Sequence, residues 1–170
     1  VETKAHVDRC ATPVSEVDLA QFYRPAVVVD VGRKGPLEQV TVSDLEKASP
    51  DIETGDAVLL RTGWDAYWDD PGYVDSSPYI SGEAARWLID RGIGLLASDF
   101  PRFDYPPAMQ FPWADFWDRV GLILAPVVNL EGLSGRCGRL VAFPLKIRGA
   151  CSTPCRAAIL LSGWEAGSLS

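Results

Sequence analysis

Short apolar runs separated by turn residues are the feature that most constrains how this chain can fold. The six clearest runs are AVVVDV (26–31), AVLLRT (57–62), IGLLASD (93–99), GLILAPVV (121–128), RLVAFPLKI (139–147) and CRAAILL (155–161). Runs of this length that are rich in aliphatic and β-branched residues are typical of buried strands. A chain with these runs is expected to fold around a central sheet.

Helix signals lie between some of these runs. Ser43 and Glu46 have the spacing of a capping box, which predicts a short helix that ends before Pro50. Ser81 is the predicted N-cap of a second helix, and Gly92 is its predicted stop.

A third short helix is predicted around residues 113–119. Because strands outnumber helices, we predict an α/β fold in which helices flank a mixed central β-sheet. At 170 residues the chain is expected to form a single domain over residues 1–170. The chain begins at Val1 rather than at Met, so we expect either processing or further residues before Val1.

Charge and composition narrow the class of protein. The net charge is −7 and the basic residues form no run, so nucleic acid and anionic membranes are not expected as partners. No apolar stretch approaches the roughly 18 residues of a transmembrane helix, and no secretory leader is visible. The four cysteines are too few for a disulfide scaffold at this length, so we expect reduced thiols in a cytoplasmic protein.

Motifs for common catalytic machinery are absent from the sequence. There is no P-loop, no glycine-rich dinucleotide fingerprint and no G-x-S-x-G elbow. His6 is the single histidine, so any nucleophile activated by an imidazole would depend on it. Cys10 lies four residues away, but nothing else in the sequence orients the pair, and cysteine catalysis is not favoured.

The first twelve residues carry the most suggestive polar cluster. If they form an extended strand, one face holds Glu2, His6, Asp8, Cys10 and Thr12, because residues of equal parity point the same way. A mixed set of carboxylates and an imidazole can bind zinc or manganese. The alternative is a solvated polar face, which the spacing does not exclude.

Longer segments of the chain carry a family resemblance. They are RPAVVVDV, TVSDLE, GDAVLLRTGWDAYW, GEAARWLIDRGIGLLASDFPRFD, VVNLEGL and RLVAFPLKIRGACSTPCRAAIL. These segments resemble the metal-dependent cyclase family, whose best-known members are bacterial kynurenine formamidases and isatin hydrolases. The resemblance implies a cyclase-like α/β fold, a small-molecule substrate, and assembly as a homo-oligomer, either a dimer or a tetramer.

The metal motif of this family is His-x-Gly-Thr-His-x-Asp-x-Pro-x-His, and it aligns with the opening residues of the chain. His6 and Asp8 match the motif, and Glu2 stands in place of the first His. Ligands are lost elsewhere, for example at Thr12, which stands in place of the last His. The resemblance therefore implies an altered metal site with Glu2, His6 and Asp8 as its remaining metal ligands.

Three outcomes stay open for this altered site. In the first, Glu2, His6 and Asp8 hold one zinc or manganese ion, which polarises a carbonyl and acidifies a bound water. Asp115 or a partner subunit would assist that ion. In the second, no metal binds, Lys4 pairs with Glu2 or Asp8, and acid–base groups catalyse the reaction. In the third, the protein is a catalytically inactive relative that binds a small ligand or a protein partner.

The implied reaction opens or closes an amide, formamide, lactam or lactone bond of an aromatic or heterocyclic substrate. His6, Asp8 and Asp115 are the candidate catalytic residues of the altered site. Asp99 or Asp104 would carry protons, unless they cap turns instead.

Residues near the strand ends are candidate substrate contacts. Trp64 and Trp68 follow the 57–62 run, and open α/β sheets often bind ligands at strand ends. Trp113 would form an opposite wall, and Arg61 would pair with an anionic group of the substrate. The alternatives are core packing for the tryptophans and a structural ion pair for Arg61.

Overall fold

Nine strands and three α-helices occur in residues 1–48 and 50–163, which are the residues that this computed structural model describes. The strands are β1 (Glu2–Thr3), β2 (Tyr23–Asp30), β3 (Gln39–Val40), β4 (Ala57–Arg61), β5 (Tyr79–Ile80), β6 (Leu95–Ser98), β7 (Leu122–Leu124), β8 (Gly135–Val141) and β9 (Ala158–Leu161). The α-helices are α1 (Val42–Ala48), α2 (Gly82–Asp90) and α3 (Trp113–Arg119). None of these helices is long and apolar enough to cross a membrane.

Seven of the strands form one sheet in the order β1-β7-β6-β4-β2-β8-β9. The central strands β7, β6, β4 and β2 run parallel to one another. The outer strands β1, β8 and β9 each pair antiparallel with their neighbours. The prediction of an α/β fold with a mixed central sheet is therefore confirmed.

Alternation along the central strands divides the core into two clusters, one on each face of the sheet. Leu60 of β4 and Leu88 of α2 belong to the helix-side cluster, which the three helices cover. Leu59 of β4 belongs with Phe22 and Leu130 to the loop-side cluster, which the N-terminal segment and the loop after β7 cover. The side chains of the candidate sites are described below by the face of the sheet on which they lie.

The first helix is capped two residues earlier than the sequence predicted. Asp44 N donates to Thr41 Oγ1 at 3.3 Å, and Thr41 N donates to Asp44 Oδ2 at 2.8 Å, which is a reciprocal cap. Ser43 lies inside α1, so the prediction of Ser43 as the cap was wrong. The cap of the second helix is confirmed, because Ala84 N donates to Ser81 Oγ at 3.1 Å.

All three late apolar runs form shorter strands than predicted, and β9 takes only Ala158–Leu161 of the 155–161 run. β7 takes only three residues of the 121–128 run, and β8 ends at Val141 instead of continuing through the 139–147 run. Pro126 and Pro144 interrupt the first two of these runs, and proline has no N–H to donate to a strand ladder.

The extended strand that the shared face of the first twelve residues requires does not form. β1 ends at Thr3, and a 3₁₀ turn follows over Lys4–His6. Asp8 N donates to the Lys4 carbonyl at 3.0 Å, which closes the turn. β1 pairs with β7, which is only three residues long, so β7 offers few residues for pairing beyond Thr3. The predicted shared face of Glu2, His6 and Asp8 is therefore lost.

Candidate functional site

His6 lies beside a carboxylate and a thiol just beyond β1. Its Nδ1 is 3.6 Å from Glu2 Oε1 and 3.8 Å from Cys151 Sγ. β1 positions Glu2, and the chain at Cys151 is tied to the same strand because Thr3 N donates to the Cys151 carbonyl at 3.0 Å. We call Glu2, His6 and Cys151 the His6 cluster. The His6 side chain is 55% exposed, so the cluster is open to solvent.

Cys151 is the member of the His6 cluster that the sequence did not predict. It is 145 residues from His6, and no local spacing connects the two. The usable signal was the resemblance of the segment around Cys151 to the closing strands of the cyclase family. That signal places the segment in the sheet, but not beside β1.

Asp8 does not complete a ligand group with Glu2 and His6. Its Oδ1 accepts a hydrogen bond from Cys10 N at 2.9 Å, as in an Asx turn. Lys4 pairs with Asp118 of α3 at 2.7 Å, and the predicted pairing with Glu2 or Asp8 was wrong. The hydrogen bond and the charge of Asp118 raise the pKa of Lys4, with a smaller contribution from Asp8.

The side chains present do not fit the metal ion that the family resemblance implies. Within residues 1–48 and 50–163, no group of three or more His, Cys, Asp and Glu side chains is arranged to hold a metal ion. Glu2 and His6 stay together, but the turn over Lys4–His6 leaves Asp8 outside their group. Asp115, the predicted additional ligand, pairs with Arg119 on α3 at 3.4 Å.

Asp99 follows β6 directly and is fully buried. Its carboxylate accepts hydrogen bonds from Thr62 N at 2.8 Å, from Thr62 Oγ1 at 2.6 Å and from Gly63 N at 2.6 Å. Burial raises the pKa of Asp99, and these hydrogen bonds oppose the rise. These contacts hold the turn that follows β4. The role of Asp99 in proton transfer stays a prediction.

Asp104 and Trp113 are bound to each other on the helix side. Asp104 accepts hydrogen bonds from Gln110 N at 2.9 Å and from Trp113 Nε1 at 3.1 Å. The Trp113 ring also packs on Phe111 and Trp117, with centroids 4.3 and 5.9 Å away. Packing in this aromatic cluster explains the position of the Trp113 ring. A contact between Trp113 and substrate stays a prediction.

Arg61 and Trp64 also have partners within the chain. Arg61 donates to Asp30 Oδ2 at 2.7 Å, between the neighbouring strands β4 and β2. Trp64 is 3% exposed, and its Nε1 donates to the Tyr73 carbonyl at 2.9 Å. Substrate binding by either residue stays a prediction, and both have the structural contacts that the alternative interpretation expects.

Trp68 is the predicted substrate residue that keeps an open surface. It is 50% exposed and lines a cavity of about 620 Å³, whose lining includes Leu59 and Leu124 of the loop-side cluster. Among the described residues that line this cavity, none belongs to the set of predicted metal ligands. The structure therefore does not bring Trp68 and the His6 cluster into one pocket.

Comparison with known proteins identifies the family. Residues 1–105 match the family described as putative cyclase. A kynurenine formamidase from Salinibacter ruber is 30% identical over 166 residues, which cover 94% of this chain and 73% of that protein. The chain belongs to the cyclase family.

Solved structures share the fold. Isatin hydrolase A from Ralstonia solanacearum superposes with a TM-score of 0.78 at 25% identity, covering 92% of this chain and 68% of that one. A predicted metal-dependent hydrolase from Bacillus stearothermophilus superposes with a TM-score of 0.66 at 22% identity, covering 92% and 72%. Both neighbours are described as hydrolases, and the predicted resemblance to formamidases and isatin hydrolases is confirmed.

Proposed function

We propose that this chain is an enzyme that opens or closes an amide, formamide, lactam or lactone bond in a small aromatic or heterocyclic substrate. Membership of the cyclase family supports this proposal. So do two relatives, one named a kynurenine formamidase and the other an isatin hydrolase. A C–N bond is the preferred target, because a formamidase cleaves one by definition.

The contact between Glu2 and His6 is the observation that carries the proposal. The Glu2 carboxylate is 3.6 Å from Nδ1 of His6. Glu2 stands where the family motif has its first histidine, and His6 matches the second. A carboxylate beside Nδ1 orients the ring and leaves Nε2 as a base for water. Contacts of this kind are often long in the absence of substrate and shorten when it binds.

The proposed hydrolysis uses only groups of this chain. His6 Nε2 takes a proton from a water molecule, and the water oxygen attacks the carbonyl carbon of the substrate. The C–N bond then breaks, and His6 returns the proton to the departing nitrogen. The products are a carboxylic acid and an amine. Glu2 stabilises the imidazolium between the two proton transfers.

The altered metal site is part of this proposal. The motif has lost ligands, and Asp8 binds Cys10 N rather than completing a group with Glu2 and His6. We therefore assign no step of the reaction to a metal ion. The His6 cluster is proposed to work as a general acid–base site.

Assembly as a homo-oligomer is also proposed. Phe143, Leu145 and Ile147 follow β8 and are 46%, 54% and 49% exposed. Apolar side chains left open at every second position suit contact with a second copy of the chain. Leu145→Glu is expected to shift the molecular mass in solution towards the monomer, and an unchanged mass would contradict this surface.

Hydrolysis of N-formylkynurenine and of isatin tests the proposed function. The purified wild-type chain is expected to turn over at least one of them, and His6→Ala is expected to lower kcat/KM by roughly 10²–10⁴-fold. Glu16→Gln is the matched control, because Glu16 is an exposed carboxylate of the same N-terminal segment. Absence of turnover in the wild type, with a small ligand still bound, would favour the inactive relative instead.

A further inference from the structure

The cavity on the loop side of the sheet is a candidate binding site that the His6 chemistry does not use. Its volume is about 620 Å³, and ligand pockets commonly have volumes of roughly 300–1,000 Å³. We propose that this cavity binds an uncharged, flat aromatic molecule of one or two fused rings.

The lining of the cavity determines the chemistry of its ligand. Leu59 and Leu140 are 1% exposed, and Leu124 is 5% exposed, so part of the lining is continuous with the loop-side cluster. No charged side chain occurs among the described residues that line the cavity. A charged ligand would lose its hydration there without gaining a counter-charge, so the ligand must be uncharged.

The polar groups of the lining are few and are suited to orienting a ring. Trp68 contributes a half-exposed indole, which packs on Tyr73 with ring centroids 5.4 Å apart and is of a kind that stacks on flat aromatic molecules. Asn129 contributes a carboxamide that can hydrogen-bond a single polar substituent, and Cys155 contributes a thiol. This combination of an apolar lining and a few convergent polar groups is typical of small-molecule sites.

The wall that includes Asn129 is held in place without a ligand. Val127 N donates to the Ser98 carbonyl at 2.8 Å, and Asn129 N donates to Asp65 Oδ2 at 3.0 Å. Both backbone donors are satisfied within the chain, so the loop after β7 is anchored at two points. Because this wall is already ordered, binding a ligand costs less conformational entropy.

Glu2 and the cavity lie on opposite faces of the sheet, and no member of the His6 cluster is among the described residues that line the cavity. Glu2 is the direct partner of Ile123 and shares its face, and Ile123 belongs to the helix-side cluster. Leu124, the next residue of β7, belongs to the loop-side cluster and lines the cavity. The proposed site therefore does not depend on the proposed hydrolase activity.

Protection of Cys155 from alkylation tests the proposal with indole as the probe. Burial raises the pKa of the Cys155 thiol, so the reaction with N-ethylmaleimide is run at mildly alkaline pH and followed by peptide mass spectrometry. At an indole concentration of about ten times its Kd, the alkylation of Cys155 is expected to slow about tenfold. Cys10 is exposed and does not line the cavity, so its rate should not change. Equal rates at Cys155 with and without indole would overturn the proposal.

Two matched substitutions on β9 locate the site. Ile159 lines the cavity, whereas its neighbour Leu160 does not. Ile159→Trp is expected to raise the Kd of indole, measured by calorimetry, about tenfold or more. Leu160→Trp and His6→Ala are expected to leave this Kd within about twofold of wild type. Circular dichroism checks that each variant is folded, and if Ile159→Trp is not, the wild-type alkylation result still decides.

A second copy of the chain could instead cover the cavity. In that case Cys155 would be protected as the protein concentration rises, without any indole, and the proposal of a small ligand would be wrong. Loss of N-formylkynurenine hydrolysis in His6→Ala with indole binding retained would separate this site from the proposed function.

Discussion

Glu2 and Ile123 are direct partners in the antiparallel pair of β1 and β7, so their side chains lie on the same face of the sheet. Ile123 belongs to the helix-side cluster, which places the Glu2 carboxylate on the side of α3. On that side Lys4 contacts Asp118. Trp68 lines a cavity on the opposite face. The two halves of the site that the sequence predicted as one are therefore separate.

Asp8→Asn distinguishes an acid–base site from a metal site. If Glu2, His6 and Asp8 held an ion, loss of the Asp8 carboxylate would be as damaging as His6→Ala. Because Asp8 binds Cys10 N instead, we expect Asp8→Asn to keep kcat/KM for N-formylkynurenine within about fivefold of wild type. Steady-state kinetics of the two variants side by side provide the comparison. A loss in Asp8→Asn of the size seen for His6→Ala would show that Asp8 belongs to the site.

Arg61→Met tests whether Arg61 binds substrate. Arg61 is bound to Asp30 at 2.7 Å, so its removal should lower the melting temperature and leave KM within about twofold of wild type. Asp30→Asn is the matched partner variant and should have the same thermal effect. A rise in KM in Arg61→Met that Asp30→Asn does not share would assign Arg61 to substrate binding.

Trp64→Phe tests the structural role of the Trp64 indole. The substitution removes the hydrogen bond from Nε1 to the Tyr73 carbonyl and leaves space in the helix-side cluster. We expect the free energy of unfolding to fall by about 1–3 kcal/mol, as urea denaturation would measure it. Trp68→Phe is the control, and it should have a smaller effect because Trp68 is half-exposed. Equal losses in the two variants would contradict this assignment.

The buried carboxylate of Asp99 predicts a specific pH dependence of stability. Burial raises the pKa of Asp99 in the folded protein above its ordinary value of 3.8, against opposing hydrogen bonds from Thr62 and Gly63. Between the unfolded and the folded pKa, the folded state holds a proton that the unfolded state has released. The contribution of Asp99 to the unfolding free energy therefore decreases as pH rises through that window.

Asp99→Asn is the substitution that isolates this contribution. It is expected to lower the unfolding free energy by about 1–3 kcal/mol, because the amide keeps one acceptor oxygen and sets its NH₂ group against donors of Thr62 and Gly63. The difference from wild type should be largest at the acidic end and should shrink as pH rises. Urea denaturation over a series of pH values measures it, and a difference that grows with pH would reverse the assigned direction.

The sheet could be predicted because its pattern is local. Continuous apolar runs indicate β2, β4 and β6, and successive residues of a strand face opposite sides of the sheet, as Leu59 and Leu60 illustrate. The Ser81 cap was equally local, since one side chain and one N–H three residues later define it. At the first helix the sequence prediction took the Ser43–Glu46 pair as the capping box, whereas the structure uses Thr41 and Asp44.

The site could not be predicted in the same way because its contacts are long-range. The extended strand that the shared face requires is interrupted at Lys4, where a 3₁₀ turn replaces pairing with a partner strand of three residues. That single change removes Asp8 from the shared face and brings His6 to Cys151, 145 residues away. The resemblance to the family indicated which residues stand in the motif, but the local backbone decides where their side chains point.

Metal content is the measurement that most directly tests acid–base catalysis by the His6 cluster. The wild-type chain would be purified without chelator, analysed for bound zinc and manganese, and assayed with N-formylkynurenine before and after treatment with EDTA. Catalysis by Glu2 and His6 predicts far less than one equivalent of metal per chain and a kcat/KM that EDTA does not change. One equivalent of zinc or manganese, lost together with activity in EDTA and absent from His6→Ala, would contradict it.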